Sequence, residues 1–244
     1  MPMASLSGKW ALVTGASRGV GTEIALGLAK LGCGVVAHGR TAGNCARIIQ
    51  EISATGAPVF AVGGELNDQD QVDRLLDEAL ERAGRIDILY NNAAVQTSYR
   101  SDPWSFPVEE FRLSFEVNAI SLIRICQRLA PKMIEGGYGR IVNVTSGIRE
   151  LPELSPYAIS KAAVDKYVRD FGPKLAGTGV TMNLLDPGWL RTDMGGPNAP
   201  GDVASVMPGA LVPALLEDGV SGRWFSAQEY AGLSLEEALA KAIS

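Results

Sequence analysis

The sequence predicts an α/β fold, a doubly wound and mostly parallel sheet with helices on both faces, in a single domain. Three observations carry this expectation. Short apolar runs alternate with longer amphipathic stretches along the chain. The apolar runs read as strands buried on both faces, as strands of a parallel sheet are. The chain of 244 residues, 46% hydrophobic and 20% charged, is ordinary for a soluble globular protein. Open α/β folds run to this length undivided.

The strands expected in order are Trp10–Thr14, Gly34–Ala37, Val59–Val62, Ile86–Tyr90, Gly139–Thr145 and Val180–Leu185. Between them, length and periodicity predict helices over Gly21–Leu31, Ala42–Ala54, Asp68–Ala83, Val108–Ile134 and Ser155–Leu175. Right-handed crossovers then wind the sheet both ways and leave ligands at the carboxyl ends of the strands. From Gly195 to Pro213 the chain is rich in Gly, Pro and Asn, which predicts a mobile loop. Leu233–Ile243 reads as a short closing helix. A chain this long buries roughly 70–75% of its unfolded surface and needs no disulfide or metal to hold a core.

Composition narrows the function classes. Cys33, Cys45 and Cys126 are scattered and form no C-x-x-C pair, so neither a disulfide framework nor a zinc site is indicated, and a cytoplasmic location is expected. The net charge of −5 comes without a basic run, which argues against nucleic acid. Met1 to Lys9 has no apolar stretch suited to a signal peptide, and no long uncharged apolar stretch predicts a membrane span. The only histidine is His38, so histidine-ligated metal chemistry and a Ser-His-Asp triad are not expected.

Thr14-Gly15-Ala16-Ser17-Arg18-Gly19-Val20-Gly21 follows the first strand and opens the first helix. Glycines there permit a tight turn, a close approach of backbone to pyrophosphate, and close packing of helix on strand. The helix N-terminus offers unpaired N–H groups to a phosphate. The alternative is a Gly-rich loop without a ligand. The spacing of Gly15, Gly19 and Gly21 resembles the short-chain dehydrogenase/reductase family, and the resemblance continues in order along nearly the whole chain. Asn91-Asn92-Ala93-Ala94 follows the fourth strand, Asn118 lies in the next long helix, and Ser146 follows the fifth strand. Tyr157-x-x-x-Lys161 comes next, and Pro187-Gly188 ends the sixth strand. Each motif alone is modest; the ordered set is specific. The resemblance implies a Rossmann-type oxidoreductase, with 8–190 as cofactor-binding and catalytic core, 191–225 as substrate loop and last strand, and 226–244 as a C-terminal tail.

An acid at the end of the second strand would accept from a ribose 2′-hydroxyl, whereas a 2′-phosphate needs cations and no carboxylate nearby. The chain has Gly39 there, followed by Arg40, and Arg18 in the glycine turn supplies a second cation. NADP(H) is therefore the expected cofactor. By resemblance, Glu65-Leu66 is the pair that holds the adenine, with glutamate in place of the usual aspartate. Ala93 and Ala94 let the turn after the fourth strand pass close to the adenosine ribose, and Asn92 belongs to the same cofactor site. Pro187 and Gly188 turn beneath the nicotinamide, and Thr192 binds its carboxamide.

Carbonyl reduction needs a proton donor at oxygen as hydride reaches carbon. Tyrosine is a poor acid–base group at neutral pH unless a nearby cation favours its phenolate. Four residues apart on one helix, Tyr157 and Lys161 project from the same face, and Pro156 suits the first turn. The resemblance makes Tyr157 the general acid/base, and Lys161 the group that lowers its pKa and bonds the nicotinamide ribose. Ser146, with Thr145 as a rival hydroxyl, orients the substrate oxygen. Asn118 helps to hold a water linking the lysine to solvent; an ordinary hydrogen-bonding residue inside a helix is the alternative. The gap of 11 residues from Ser146 to Tyr157 is about two shorter than is common in relatives, so the loop Ile148–Leu154 is expected to reshape the pocket.

Ile148, Leu151, Trp189, Met194 and Trp104 are candidates for an apolar substrate wall, with plain core or lid packing as the equal alternative. The loop after Thr192 is expected to close over the cofactor. A final strand is expected to include Arg223–Phe225. The resemblance implies a homodimer or homotetramer acting on a ketone, aldehyde or secondary alcohol. Two further readings stay open: a nucleotide-binding regulatory protein without turnover, and a reductase of sugars or carrier-bound 3-oxoacyl groups.

Overall fold

The computed structural model describes residues 5–243. Seven strands form one parallel sheet in the order β3-β2-β1-β4-β5-β6-β7. They are β1 (Trp10–Val13), β2 (Gly34–Gly39), β3 (Val59–Gly63), β4 (Ile88–Asn91), β5 (Gly139–Val144), β6 (Val180–Asp186) and β7 (Trp224–Ser226). The order reverses between β1 and β4, the switch point where loops diverge and a crevice opens. Apolar cores cover both faces. Ile24, Leu28 and Ile48 pack on one side, and Leu75, Ile125 and Val164 on the other. This is the single-domain, Rossmann-type fold that the strand–helix alternation predicts.

The helices are α1 (Gly19–Lys30), α2 (Ala46–Ser53), α3 (Gln69–Ala83), α4 (Val108–Phe115), α5 (Ser121–Glu135), α6 (Ser155–Phe171), α7 (Val212–Leu215) and α8 (Leu235–Ile243). Asp68 caps α3 through its side chain, accepting from the backbone of Asp70 and Gln71. The expected continuous helix Val108–Ile134 is interrupted by a π-helical turn at Glu116–Ile120. Within that turn the Asn118 side chain accepts from Val95 N at 2.8 Å and donates to Val95 O at 2.9 Å. The wider turn carries a side chain that anchors the loop after β4, a common use of π turns. Helix α6 tightens to a 3₁₀ turn at Gly172–Leu175, where Pro173 removes a donor.

The expected mobile loop Gly195–Pro213 is corrected over its second half. Val203–Val206 and Gly209–Leu211 form 3₁₀ turns that lead into α7, and Val206, Ala210, Leu211 and Val212 are buried. Gly27 of α1 makes this packing possible, because a Cβ there would lie 2.4 Å from Met207 Cε. Tyr90, fully buried in β4, donates to Ala210 O at 2.7 Å and ties the segment to the sheet. Apolar content decided the matter over Gly and Pro content. The last strand runs Trp224–Ser226, one residue beyond the expected Arg223–Phe225.

Among the described residues, no helix is long and apolar enough to cross a membrane, and no cluster of His, Cys, Asp or Glu is suited to a metal ion.

Candidate active site

A cleft of about 1290 Å³ runs along the carboxyl ends of six strands. Following the strand order, it passes from Glu65 and Leu66 after β3, past Arg40 after β2, to the glycine turn after β1. It continues past Asn92 and Ala93 to Ser146, and ends at Pro187 and Gly188 after β6.

The glycine turn is shaped by contacts that leave no room for side chains. Gly15 (φ +65°) and Gly19 (φ +57°) adopt left-handed backbone. A Cβ on Gly15 would lie 2.9 Å from Ala93 Cα, and one on Gly21 would lie 2.3 Å from Gly15 O. Gly15, Ser17, Arg18, Gly19 and Val20 line the cleft, whereas Gly21 is buried behind the turn. Helix α1 begins with no side-chain cap, so its first N–H groups face the cleft for an anion. The Asn92 amide braces the turn, donating to Thr14 O at 2.9 Å and to Gly15 O at 3.3 Å. Thr14 Oγ1 accepts from Asn92 N and Ala93 N.

His38, set aside above as a catalytic group, proves to be a brace. It is buried at the end of β2, accepts from Gly15 N through Nδ1 at 3.2 Å, and bonds Gly64 O through Nε2 at 3.0 Å. One neutral tautomer satisfies both contacts, with its proton on Nε2. Burial lowers its pKa and keeps it neutral. Its place at the end of an apolar run was the available signal.

Where the cleft passes the end of β2, Arg40 is exposed and, among the described residues, without an ion-pair partner. Arg18 reaches across the cleft to Asp193 at 2.8 Å, with both side chains largely exposed. Leu66 is buried beside them and Glu65 is exposed, its backbone N–H donating to Gln71 Oε1 at 3.1 Å.

At the other end, Tyr157 and Lys161 lie on α6 and are both buried, 7% and 3% exposed. Tyr157 and Ser146 both line the cleft, and Ser146 Oγ accepts from Ile148 N at 3.3 Å. Thr145, the rival hydroxyl, instead donates to Asp165 Oδ1 at 2.5 Å. Lys161 Nζ donates to Val144 O at 2.8 Å and lies 5.8 Å from the centre of the Tyr157 ring. Burial pushes the Tyr157 phenol up to about 12; the Ser146 hydroxyl opposes this and Asp186 adds to it. Burial lowers Lys161 to about 8 against the opposing pull of Asp165. At neutral pH the tyrosine is therefore protonated and the lysine charged. The lowering of the phenol by Lys161 expected from the Tyr–Lys spacing is not among the influences on it here, and desolvation is the largest of them.

Asn118 does not line the cleft. Its amide joins Val95 to Ser160 Oγ at 2.9 Å, and Ser160 Oγ in turn donates to Tyr157 O at 2.7 Å. The residue thus couples the loop after β4 to the helix that carries Tyr157. Ile148, Leu151, Trp189 and Met194 line the cleft, while Trp104, 93% exposed, lies outside it. Thr192 meets the turn across the cleft: a Cβ on Gly19 would lie 3.3 Å from Thr192 Cγ2. Gln228, which no motif pointed to, donates to Pro187 O at 2.8 Å and fixes the turn after β6.

Comparison with known proteins agrees with this architecture. The 7α-hydroxysteroid dehydrogenase of Escherichia coli K12 is 33% identical over 190 residues, 77% of this chain and 73% of the relative. A crystal structure of a 3-oxoacyl (acyl-carrier-protein) reductase from Agrobacterium tumefaciens C58 with NADP bound superposes with a TM-score of 0.82 at 28% identity, covering 92% of this chain and 94% of that one. A 7α-hydroxysteroid dehydrogenase structure with NADH and a 7-oxo bile acid gives 0.82 at 28% identity, covering 95% and 97%. Residues 9–202 match the family profile of short chain dehydrogenases. The chain thus belongs to the short-chain dehydrogenase family of oxidoreductases.

Proposed function

We propose that the protein is an NADP(H)-dependent oxidoreductase that interconverts a ketone or aldehyde with its alcohol. The observation that carries the reading is the convergence, in one cleft, of Ser146, a buried protonated Tyr157, a buried cationic Lys161, and a glycine turn too crowded for side chains. When bound, NADPH supplies the hydride. Gly15, Ser17, Gly19 and Val20, with the open end of α1, would hold its pyrophosphate, and Leu66, Ala93, Pro187, Gly188 and Thr192 the rest of its length. In this reading 8–190 holds the cofactor and the reacting groups, and 191–225 covers the substrate.

The NADP assignment rests on charge and space. Arg40 supplies positive charge where the second strand ends, and Arg18, now on Asp193 across the cleft, would supply a second cation by turning to the phosphate. A Cβ on Gly39 would lie 3.0 Å from Thr41 O and 3.1 Å from Cys45 Sγ, so an acid there requires its neighbours to give way. Solved relatives differ in cofactor, which makes these local features the deciding ones.

Tyr157 donates its proton to the carbonyl oxygen as the carbon is reduced, and Ser146 holds that oxygen in place. Lys161 stabilises the resulting phenolate and would bond the ribose hydroxyls. Asn118, in the widened turn packed against α6, would help hold the water that returns a proton to Lys161. Tyr157→Phe is expected to abolish turnover while NADPH binding, followed by fluorescence, persists. Wild-type-like turnover in that variant would refute the mechanism. A panel of ketones, sugars and acyl thioesters scored by NADPH oxidation identifies the substrate class.

A homodimer or homotetramer in the cytoplasm completes the reading. Exposed Val108, Leu113 and Ile120 beside exposed Ile159 and Phe171 on α6 support assembly through the long helices, which light scattering tests.

A further inference from the structure

Asp186 is a carboxylate at the reacting end of the cleft for which the proton relay has no use. It closes β6, two residues before Gly188, and is half-buried. Its Oδ1 accepts from Gly188 N at 3.0 Å, which fixes the group. Its Oδ2 is turned toward Gly147, where a Cβ would lie 2.6 Å away. A glycine directly after Ser146 is thus what admits the carboxylate to this place. Among the described residues no cation pairs with it. Its negative field reaches both Tyr157 and Asp165.

The other charges along the cleft are paired or remote, apart from the Lys161 cation beside Tyr157. Asp193 is paired with Arg18, and Arg40 stands beyond the glycine turn. Lys161 bonds Val144 O, and Arg191 is tied to Ala199 O, Pro200 O and Asp202. A substrate carbonyl bonded to Tyr157 and Ser146 therefore meets apolar walls at Ile148 and Trp189, the Lys161 cation on the Tyr157 side, and on the Gly147 and Gly188 side a carboxylate without an ion-pair partner.

We propose that Asp186 is a specificity-determining residue that excludes carbonyl compounds bearing an anionic group beside the reacting carbon, so that the substrate is neutral there. The inference rests on the reductase reading above and names the substrate class of that same site. A carboxylate held about 6 Å from Asp186, at an effective dielectric of about 20, is disfavoured about a hundredfold.

The test is the ratio of kcat/KM with NADPH for matched ester–acid pairs of short 2-oxo and 3-oxo acids, such as ethyl 3-oxobutanoate against 3-oxobutanoate. The wild type should favour the ester about a hundredfold. Asp186→Asn, which keeps an acceptor for Gly188 N–H, should lower that ratio at least about tenfold. Asp186→Ala should do the same, with melting curves confirming that each variant is folded. A ratio unchanged in both variants overturns the inference. A wild-type preference for the acid also overturns it, and would give the larger field to Arg149 and Arg169, which line a separate cavity sharing Ser146 and Ile148 with the cleft. No NADPH oxidation with any carbonyl compound overturns the reductase reading itself, whereas turnover with an unmoved ratio overturns the filter alone.

Discussion

Arg40→Gln and Arg18→Gln, compared side by side, test the cofactor assignment through magnitude as well as direction. Arg40→Gln removes a positive charge at the end of β2, and Arg18→Gln removes one in the glycine turn that would reach a 2′-phosphate only on leaving Asp193. A hydrogen bond to a charged group contributes about 1.5–3 kcal/mol. At about 1.4 kcal/mol per decade, losing such a bond weakens NADPH binding about 10- to 150-fold. Arg40 brings that contribution whole, because it is exposed and, among the described residues, free of an ion pair. Arg18 must first leave Asp193, with side chains 68% and 72% exposed. An exposed pair of this kind is worth about 0–1 kcal/mol, so the net contribution of Arg18 is smaller by up to about fivefold in binding. The assay is titration of NADPH and NADH by fluorescence at fixed ionic strength, since both contributions are screened by salt. NADPH affinity should fall in both variants, more in Arg40→Gln, with NADH affinity almost unmoved. Equal losses for the two cofactors would refute the 2′-phosphate argument, and a larger loss in Arg18→Gln would refute the ranking.

His38→Ala removes the group between Gly15 N and Gly64 O, and each backbone group left without a partner costs about 1–3 kcal/mol. Urea denaturation should show a loss of about 2–6 kcal/mol, with weaker cofactor binding. Gly21→Ala sets a helix-propensity gain of about 1 kcal/mol against a Cβ only 2.3 Å from Gly15 O, and backbone overlap wins. A lower melting temperature and weakened NADPH binding are expected, and a stabilised variant would contradict the reading of the turn. The pH dependence of reduction follows Lys161. Burial has lowered its pKa from 10.5 to about 8, so the cation is present below that pH and lost above it, and kcat/KM should fall on the alkaline side near pH 8. Asp165 opposes the lowering, so Asp165→Asn should move that limb to lower pH; a limb that stays or rises would remove Lys161 as its source.

What the sequence determined by itself is the fold and the order of the reacting groups. Strand–helix alternation is a local pattern with a global consequence, since parallel strands need crossovers and right-handed crossovers leave their carboxyl ends in one crevice. Motifs at those ends, from Gly15 to Pro187, were therefore legible as one site before any coordinates. Gly39 and Arg40 likewise sit at a strand end where one position carries the cofactor choice. What only the tertiary structure decided depends on groups distant in sequence. The π turn at Asn118 answers to Val95 and Ser160, the burial of Val206–Val212 answers to Gly27, and His38 acts through Gly15 and Gly64. The balance at Tyr157 is of the same kind. Spacing delivers Lys161 to the same helix face, but the phenol is governed by desolvation from the surrounding chain, with Ser146 and Asp186, which no helical spacing could reveal. Desolvation and charge fields sum over neighbours in space, so they exist only once the chain has folded.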